Sequence, residues 1–444
     1  MTLIRGISGI RGIVNQTFDN SVITSHVNAF SQIQNEGTIL IARDSRIHGK
    51  EFLIVAAKIL KESGREVLNC DIIPTPTAQF LIEKYQCAGG IVITASHNPL
   101  NWNGLKFIDT DGCFISNDKN SKLFKYTDLF NINFKSNGSI RKIQNAYQEH
   151  VEHTKNLSII NLNSIVKRNF TVVVDAVNGA ASYALPSMLE SLGCNVHRLN
   201  CLPNGKFPRG AEPLSKNLSK LGKLVRELNA DVGFATDPDG DRLAIVDENG
   251  TPIGEEYTLV LCVDGFLNSR KSSAPIVTNL STTLAIDRIA EKYGVKVIRS
   301  EVGEINVVNK MKDSHAELGG EGNGGIILKE SHYGRDSLVG VTMFLNKIAQ
   351  NKLKVSEAFL AMPQYFMVKD KIELKGINSE EALSKIELKY NNLNLDKTDG
   401  LKISWENSWV HIRKSNTEPI IRIYSEAQSI IEAENIVKNI KSII

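Results

Sequence analysis

The residues of this chain best suited to chemistry fall in four short stretches. The first is Thr94-Ala95-Ser96-His97-Asn98-Pro99, which follows the apolar run GGIVI. That run delivers a serine hydroxyl to the end of a core strand, with polar neighbours and a proline to lock the exit. Ser96 lacks the G-x-S-x-G setting of a hydrolase nucleophile elbow. Asn103-Gly104 then turns the chain, and Lys106 brings a cation back on the next strand. A hydroxyl near an ammonium suits phosphoryl transfer, because the oxygen carries the group and the cation offsets its charge.

The second stretch is Asp237-Pro238-Asp239-Gly240-Asp241-Arg242. Carboxylates at alternate positions repel unless a cation bridges them, and oxygen-only ligands suit Mg²⁺ or Ca²⁺. With Glu248 the spacing matches ligand positions of a Ca²⁺-binding EF-hand loop. However, Pro238 sits second, Arg242 replaces the required glycine, and the flanks read as strands. Mg²⁺ with open positions for phosphate oxygens is the better reading. The third stretch is Gly319-Gly320-Glu321-Gly322-Asn323-Gly324-Gly325. Its glycines let backbone approach a ligand closely, and Glu321 and Asn323 suit sugar hydroxyls. No G-x-x-x-x-G-K-[ST] follows, so nucleoside triphosphate hydrolysis has little support. The fourth is Arg413-Lys414-Ser415-Asn416-Thr417-Glu418-Pro419, between strand-like WVHI and IIRIY. Its cations, hydroxyls, amide and turn N–H groups make a phosphate cradle, to which Arg422 adds a donor.

The elements that must position these stretches alternate in type. TILIARDS, GGIVITAS, FTVVVDAVNG, DVGFATD, RLAIVDENG, PIVTNL and VKVIRSEVG read as strands, whereas EFLIVAAKILKESG, LSKLGKLVRELN and LAIDRIAEKYG read as amphipathic helices. That rhythm predicts α/β units with largely parallel sheets. HVEHTKNLSIINLNSIVKRN reads as a helix running into a new unit. The expected domains are 1–152, 153–252, 253–364 and 365–444, the last ending in a strand and an amphipathic helix. Three times an apolar strand meets a Gly- or Asp-rich loop, which suggests related units.

Composition narrows the class. The chain has 444 residues, 42% apolar and 23% charged, with net charge +3. That near-neutral balance offers no bulk argument for nucleic acid or a membrane. MTLIRGISGIRGIV does not read as a signal peptide, and no apolar run is long enough for a membrane span. The six cysteines form no C-x-x-C. A cytoplasmic protein with free thiols is expected.

TASHNP, DPDGDR, GGEGNGG and RKSNTEP, in that order, resemble the α-D-phosphohexomutases, as do ISGIRG at the start and ARDSR after it. The resemblance spans essentially the whole chain. It implies an α/β fold of four domains around a central cleft: three related α/β units with mixed, mostly parallel sheets and a C-terminal α+β domain. It further implies that Ser96 is a phosphoserine exchanging its phosphoryl group with a sugar monophosphate through a bisphosphate. Mg²⁺ would be held by Asp237, Asp239, Asp241 and a phosphoserine oxygen. Arg11, His97, Lys106 and Arg242 would surround that serine, with Lys106 a candidate for proton transfer. Glu321 and Asn323 would bind the sugar; Arg413, Ser415, Asn416, Thr417 and Arg422 would bind the non-reacting phosphate. A hexose or hexosamine 1,6-bisphosphate would be the activator, and the chain would act as a monomer or homodimer.

Two departures stand out. The start reads SGIRG where many members have Gly-Thr-Asp-Gly-Ile-Arg-Gly. The sugar loop reads GGEGNGG where many carry GGE-x-SGH, so Gly325 stands at the histidine position. His332, in SHYGRD downstream, is left either to replace that histidine or to lie on the surface. The loop leans towards glucosamine phosphates, with mannose and glucose phosphates as the alternative. A sugar phosphatase and a catalytically silent sugar-phosphate-binding protein are the readings of other classes.

Overall fold

A computed structural model of the chain describes residues 3–129, 138–270, 272–374, 378–414 and 420–444. Its strands fall into four sheets. The first unit holds β1 (Ile4–Gly6), β2 (Gly9–Ile13), β3 (Ile39–Arg43), β4 (Glu66–Ile72), β5 (Gly89–Ile93), β6 (Trp102–Ile108) and β7 (Ser139–Lys142). The second holds β8 (Thr171–Asp175), β9 (Asn195–Leu199), β10 (Val232–Thr236) and β11 (Leu243–Val246). The third holds β12 (Ile276–Asn279), β13 (Val297–Ser300), β14 (Leu318–Glu321) and β15 (Gly325–Leu328). The last holds β16 (Phe366–Glu373), β17 (Asn394–Asp396), β18 (Leu401–Ser404), β19 (Trp409–Lys414) and β20 (Ile420–Ala427).

The first three sheets share one plan. Their cores run β6-β5-β3-β4, β11-β10-β8-β9 and β15-β14-β12-β13. In each, two parallel pairings are followed by an antiparallel return: β5 to β6, β10 to β11, β14 to β15. TASHNP, DPDGDR and the GEGNG turn occupy those three returns. One topological position therefore carries three of the four candidate stretches. The last sheet is antiparallel in every pairing, so the C-terminal unit is of a different type.

These strands end abruptly for a physical reason. β5, β10 and β14 are buried along their whole length, so they read as short continuous apolar or glycine runs. Polar residues begin where the sheet stops. The stretch expected to be one helix running into the second unit is instead two, Tyr147–Lys155 and Leu162–Arg168. Asn161 caps the second by accepting from Ser164 N at 3.1 Å, which makes a fresh start there.

The helix Ser337–Asn351 is apolar around its circumference and buried from Ser337 to Ala349. It packs into a core shared by the second and third units, where Phe344 meets Phe234 edge-on at 5.9 Å. Asp336 caps its N-terminus through Leu338 N and Val339 N. The other oxygen of that carboxylate lies 3.0 Å from both His150 Nε2 and His332 Nε2. His332 is therefore neither on the surface nor in the sugar loop. Its ring joins Asp336 to the helix bearing His150, because buried polar atoms are seldom left without a partner.

Burial pushes the Asp336 carboxyl up, but His150 and His332 outweigh it and hold it well below the usual range. A depressed carboxyl contributes stability above its unfolded pKa of about 4, and the contribution is lost as pH falls through the folded value. Asp336→Ala should cost roughly 3–5 kcal/mol, read from thermal unfolding at neutral pH. Asp336→Asn, which keeps a cap, should show a shallower loss of Tm than the parent chain below about pH 4.

Candidate active site

Ser96 sits just past β5 in a left-handed backbone conformation, φ +48°. Such a conformation is strained for a non-glycine residue and costs on the order of 1–3 kcal/mol. Its surroundings impose it. Ser96 N donates to Thr94 Oγ1 at 2.8 Å, and Thr94 Oγ1 donates to Asp44 Oδ2 at 2.7 Å. Asp44 also pairs with Arg46 at 3.0 Å. The Arg46 guanidinium then donates to four carbonyls of the serine loop: Ser96 and Asn98 at 2.7 Å, Pro99 at 2.6 Å and Trp102 at 3.1 Å. ARDSR is thus the clamp that aims Ser96. Its roles were not legible in the sequence, although the stretch itself was.

The hydroxyl points at the acidic loop. Ser96 Oγ lies 3.3 Å from Asp237 Oδ2 and 3.4 Å from His97 Nδ1. Lys106 Nζ, on β6, contacts Asp239 Oδ2 at 2.6 Å and Asp241 Oδ2 at 3.3 Å. Thr75, at the start of the helix Thr75–Lys84, donates to Asp239 Oδ2 at 2.7 Å. Arg242 Nη2 lies 3.0 Å from His97 Nδ1, and its Nη1 reaches Glu212 Oε1 at 3.1 Å. Arg11, on β2, donates to Asn98 Oδ1 at 3.1 Å. Ser96, His97, Lys106, Arg11, Arg242 and the three aspartates therefore share one locus, buried at the aspartates and half-buried at His97 and Arg11. Thr75 and Glu212 belong to it too, with no signal in sequence.

The three aspartates are fully buried, and one oxygen from each lies within 4.8 Å of the others. Burial and then the negative charges of Asp241 and Asp239 push the Asp237 carboxyl well above the usual range. Burial would raise Asp239 as well, but Lys106 and Thr75 hold it far below. Asp239 Oδ1 and Asp241 Oδ1 are buried with no hydrogen-bond partner. Unpartnered buried carboxylate oxygens beside a repelling neighbour fit a hard cation, so this cluster can hold a metal ion. Lys106 is kept protonated: burial lowers its pKa, but Asp239 and Asp241 raise it further. It is a cation here. His97 is kept neutral by Arg242 first and then by burial.

The sugar loop joins this locus through backbone. Leu243 N donates to Gly324 O at 3.0 Å, and a Cβ on Gly324 would meet Leu243 O at 2.2 Å. Glu321 Oε1 accepts from Asn279 Nδ2 at 2.7 Å and Gly303 N at 3.0 Å. Its Oε2 accepts from Arg335 Nη1 at 2.8 Å and Asn323 Nδ2 at 3.4 Å. Arg335 was missed in the sequence, although its GRD setting was in view. In the last unit, Arg413 pairs with Asp399 at 3.2 Å, and Asp399 also accepts from Val302 N at 3.1 Å, next to Gly303. Arg413 and Arg422 stand opposite each other on β19 and β20. Like charges in register suit an anion site. Ser415, Asn416 and Thr417 lie outside the described residues.

Three α/β units of one plan and a fourth unlike them, with a serine, an acidic loop and a glycine-rich acid at equivalent returns, define a sugar-phosphate mutase architecture. Models of the phosphoglucomutase/phosphomannomutase domains I, II, III and C-terminal domain match residues 2–129, 145–250, 254–366 and 365–443. The chain belongs to the phosphoglucomutase/phosphomannomutase family, whose members are phosphohexomutases. It is 34% identical to a phosphoglucomutase/phosphomannomutase of Thermococcus kodakarensis, over 96% of this chain and 94% of the relative. It is 30% identical to a phosphoglucosamine/phosphogalactosamine mutase of Sulfurisphaera tokodaii, over 99% and 98% respectively. The crystal structure of a family member from Burkholderia thailandensis superposes with TM-score 0.87 at 26% identity, covering 98% of this chain and 95% of the other.

Arg46→Lys tests the clamp. An ammonium cannot span four carbonyls, so Ser96 should lose its orientation while the fold persists. We expect kcat for sugar-phosphate turnover to fall about 100-fold with little change in Tm, read by steady-state kinetics and calorimetry.

Proposed function

We propose that the chain interconverts the 6- and 1-phosphates of a hexosamine, most favourably glucosamine, through a phosphoserine at Ser96 and a 1,6-bisphosphate. The observation that carries this is the placement of Ser96 Oγ 3.3 Å from Asp237, beside Lys106 and the buried aspartates. A phosphoryl group there leaves Ser96 for a sugar hydroxyl, whose proton ends on the freed Ser96 oxygen, and the resulting bisphosphate turns end for end and returns its other phosphoryl to Ser96 in exchange for the serine proton. Arg413, Arg422 and the Ser415–Thr417 stretch hold whichever phosphate is not reacting. Glu321, fixed by Arg335 and Asn279, accepts the sugar hydroxyls.

Asp237, Asp239 and Asp241 would hold Mg²⁺, which when bound offsets charge on the phosphoryl oxygens. The chain's own cations do related work. Lys106, kept protonated, donates to the oxygen that gains charge as the phosphoryl leaves Ser96. Arg242 and Arg11 supply further fixed positive charge at the serine loop. When the hydroxyl is regenerated, its proton faces Asp237 Oδ2 and His97 Nδ1.

The lean towards glucosamine rests on the GEGNGG loop and on relatives named as phosphoglucosamine mutases, such as that of Sulfurisphaera tokodaii. The relative from Thermococcus kodakarensis keeps mannose and glucose phosphates as the second reading.

Phosphorus NMR separates them. With Mg²⁺ and a trace of glucose 1,6-bisphosphate, glucosamine 6-phosphate should yield 1-phosphate much faster than mannose or glucose 6-phosphate. Equal rates would sink the hexosamine assignment, and steady release of inorganic phosphate would instead make the protein a phosphatase. Ser96→Ala should abolish turnover, and Asp239→Asn or chelation should lower kcat by at least about 1,000-fold.

A further inference from the structure

Arg335 is buried, and its planar guanidinium is committed on three sides. Nη2 contacts Asp241 Oδ2 at 2.7 Å, Nε contacts Glu304 Oε2 at 2.9 Å and Nη1 contacts Glu321 Oε2 at 2.8 Å. These partners belong to different parts of the molecule. Asp241 lies in the acidic loop of the second unit, and Glu321 ends β14 in the third. Glu304 opens the helix Glu304–Asp313, and its other oxygen accepts from Gln79 of the first unit at 3.1 Å. One side chain therefore ties the metal-binding acid to the sugar-binding acid.

Its stem has a place made for it. A Cβ on Gly325 would fall 2.2 Å from Arg335 Cδ and 2.8 Å from its Cγ. Gly325 is the residue that replaces the histidine of the GGE-x-SGH pattern. The space a side chain at 325 would enter is already filled by the arginine. His332, which lies nearby in sequence, is occupied with Asp336.

We propose that Arg335 takes the room left by the missing loop histidine and is a positioning residue coupling cation loading on Asp237, Asp239 and Asp241 to sugar binding at Glu321. The inference rests on the sites named under Proposed function. A cation on Asp241 Oδ1, the oxygen without a partner, draws charge from the same carboxylate whose Oδ2 is held by Nη2. The guanidinium is a rigid plane, so a change at Nη2 is carried to Nη1 and thus to Glu321. A lysine keeps the charge but has no plane to carry it. Such coupling is reciprocal: Mg²⁺ changes sugar affinity by the same factor as the sugar changes Mg²⁺ affinity.

The test uses the full chain with Ser96→Ala, which binds without turnover. Calorimetric titrations measure glucosamine 6-phosphate with and without Mg²⁺, and Mg²⁺ with and without the sugar. We expect Mg²⁺ to tighten sugar binding by about 5-fold or more, and the reciprocal factor to match. Added Arg335→Lys should bring both factors close to one, whatever it does to the affinity of either ligand alone. Gly325→Ala leaves every charge in place and presses chiefly on the stem, with Asn323 Oδ1 3.1 Å from the new Cβ, so it should uncouple in the same way. It also decides the matter if the lysine variant does not fold. Unchanged coupling in these variants, or none in the parent, overturns the proposal. Failure of the underlying sites gives a different result: Asp239→Asn would leave Mg²⁺ binding intact, or Glu321→Gln would leave sugar binding intact.

Discussion

The structure depends on one electrostatic constraint: carboxylates that cannot all be charged together are gathered where water does not reach. Asp237, Asp239 and Asp241 are fully buried, and Glu304 and Glu321 lie close by. Lys106, Arg11, Arg242 and Arg335 answer them from neighbouring elements. Buried charges persist only when paired, so each cation must arrive at a set distance and direction. That requirement explains why β2, β6 and the loop before the helix Ser337–Asn351 converge on one point. It also explains the unequal aspartates. Asp239, against Lys106, is strongly acidic, whereas Asp237, without such a partner, retains a demand for a further positive charge.

The threefold sheet plan supplies the directions. The returns β5 to β6, β10 to β11 and β14 to β15 each open at the same end of their sheets, so the three can face one another. The serine return is stiffened by Arg46, the acidic return by its own Asp237, whose Oδ1 accepts from Asp241 N and Arg242 N at 3.1 and 3.2 Å. The glycine-rich return is stiffened from outside, by Arg335 and by Leu243. These solutions differ because the loads differ. A strained serine needs its carbonyls gripped, whereas a loop of glycines needs side chains lent by its neighbours.

Much of this was legible in the chain itself. Strand ends could be read because buried strands are apolar and stop at polar or glycine residues, as GGIVI stops before TASHNP. The candidate groups could be read because they cluster within each loop. What could not be read were partners distant in sequence. Arg46 acts fifty residues before Ser96 in the chain. Thr75 reaches Asp239 from another unit, and Arg335 reaches Asp241 across |i−j| of 94. His332 was left unplaced for the same reason: its surroundings are set by His150 and Asp336, which only the packed helices bring together. Periodicity reports an element's own face, not the identity of what meets it.

The joint between the third and fourth units follows a different rule from the cores. The contacts there are mostly polar and made to loop backbone. Lys402 Nζ donates to Leu280 O at 2.6 Å, His411 Nδ1 meets Ser281 Oγ at 2.8 Å, and Glu426 accepts from Leu284 N at 2.7 Å. Arg288 reaches Glu406 O at 2.7 Å. Burial, then the nearby Arg299, pushes Lys402 down to about 7, so this joint holds a cation only weakly. An interface of this kind exchanges its hydrogen bonds for water at small net cost, whereas a hydrophobic core cannot. The loops it grips, Leu280–Leu284 and Val302–Gly303, are those that carry donors to Glu321 or adjoin them. The unit bearing Arg413 and Arg422 is thus fastened to loops that adjoin Glu321, by bonds that can be remade. Under the turnover proposed above, in which both ends of a bisphosphate would be presented to Ser96, a fourth wall specific in position yet cheap to release would let the sugar turn.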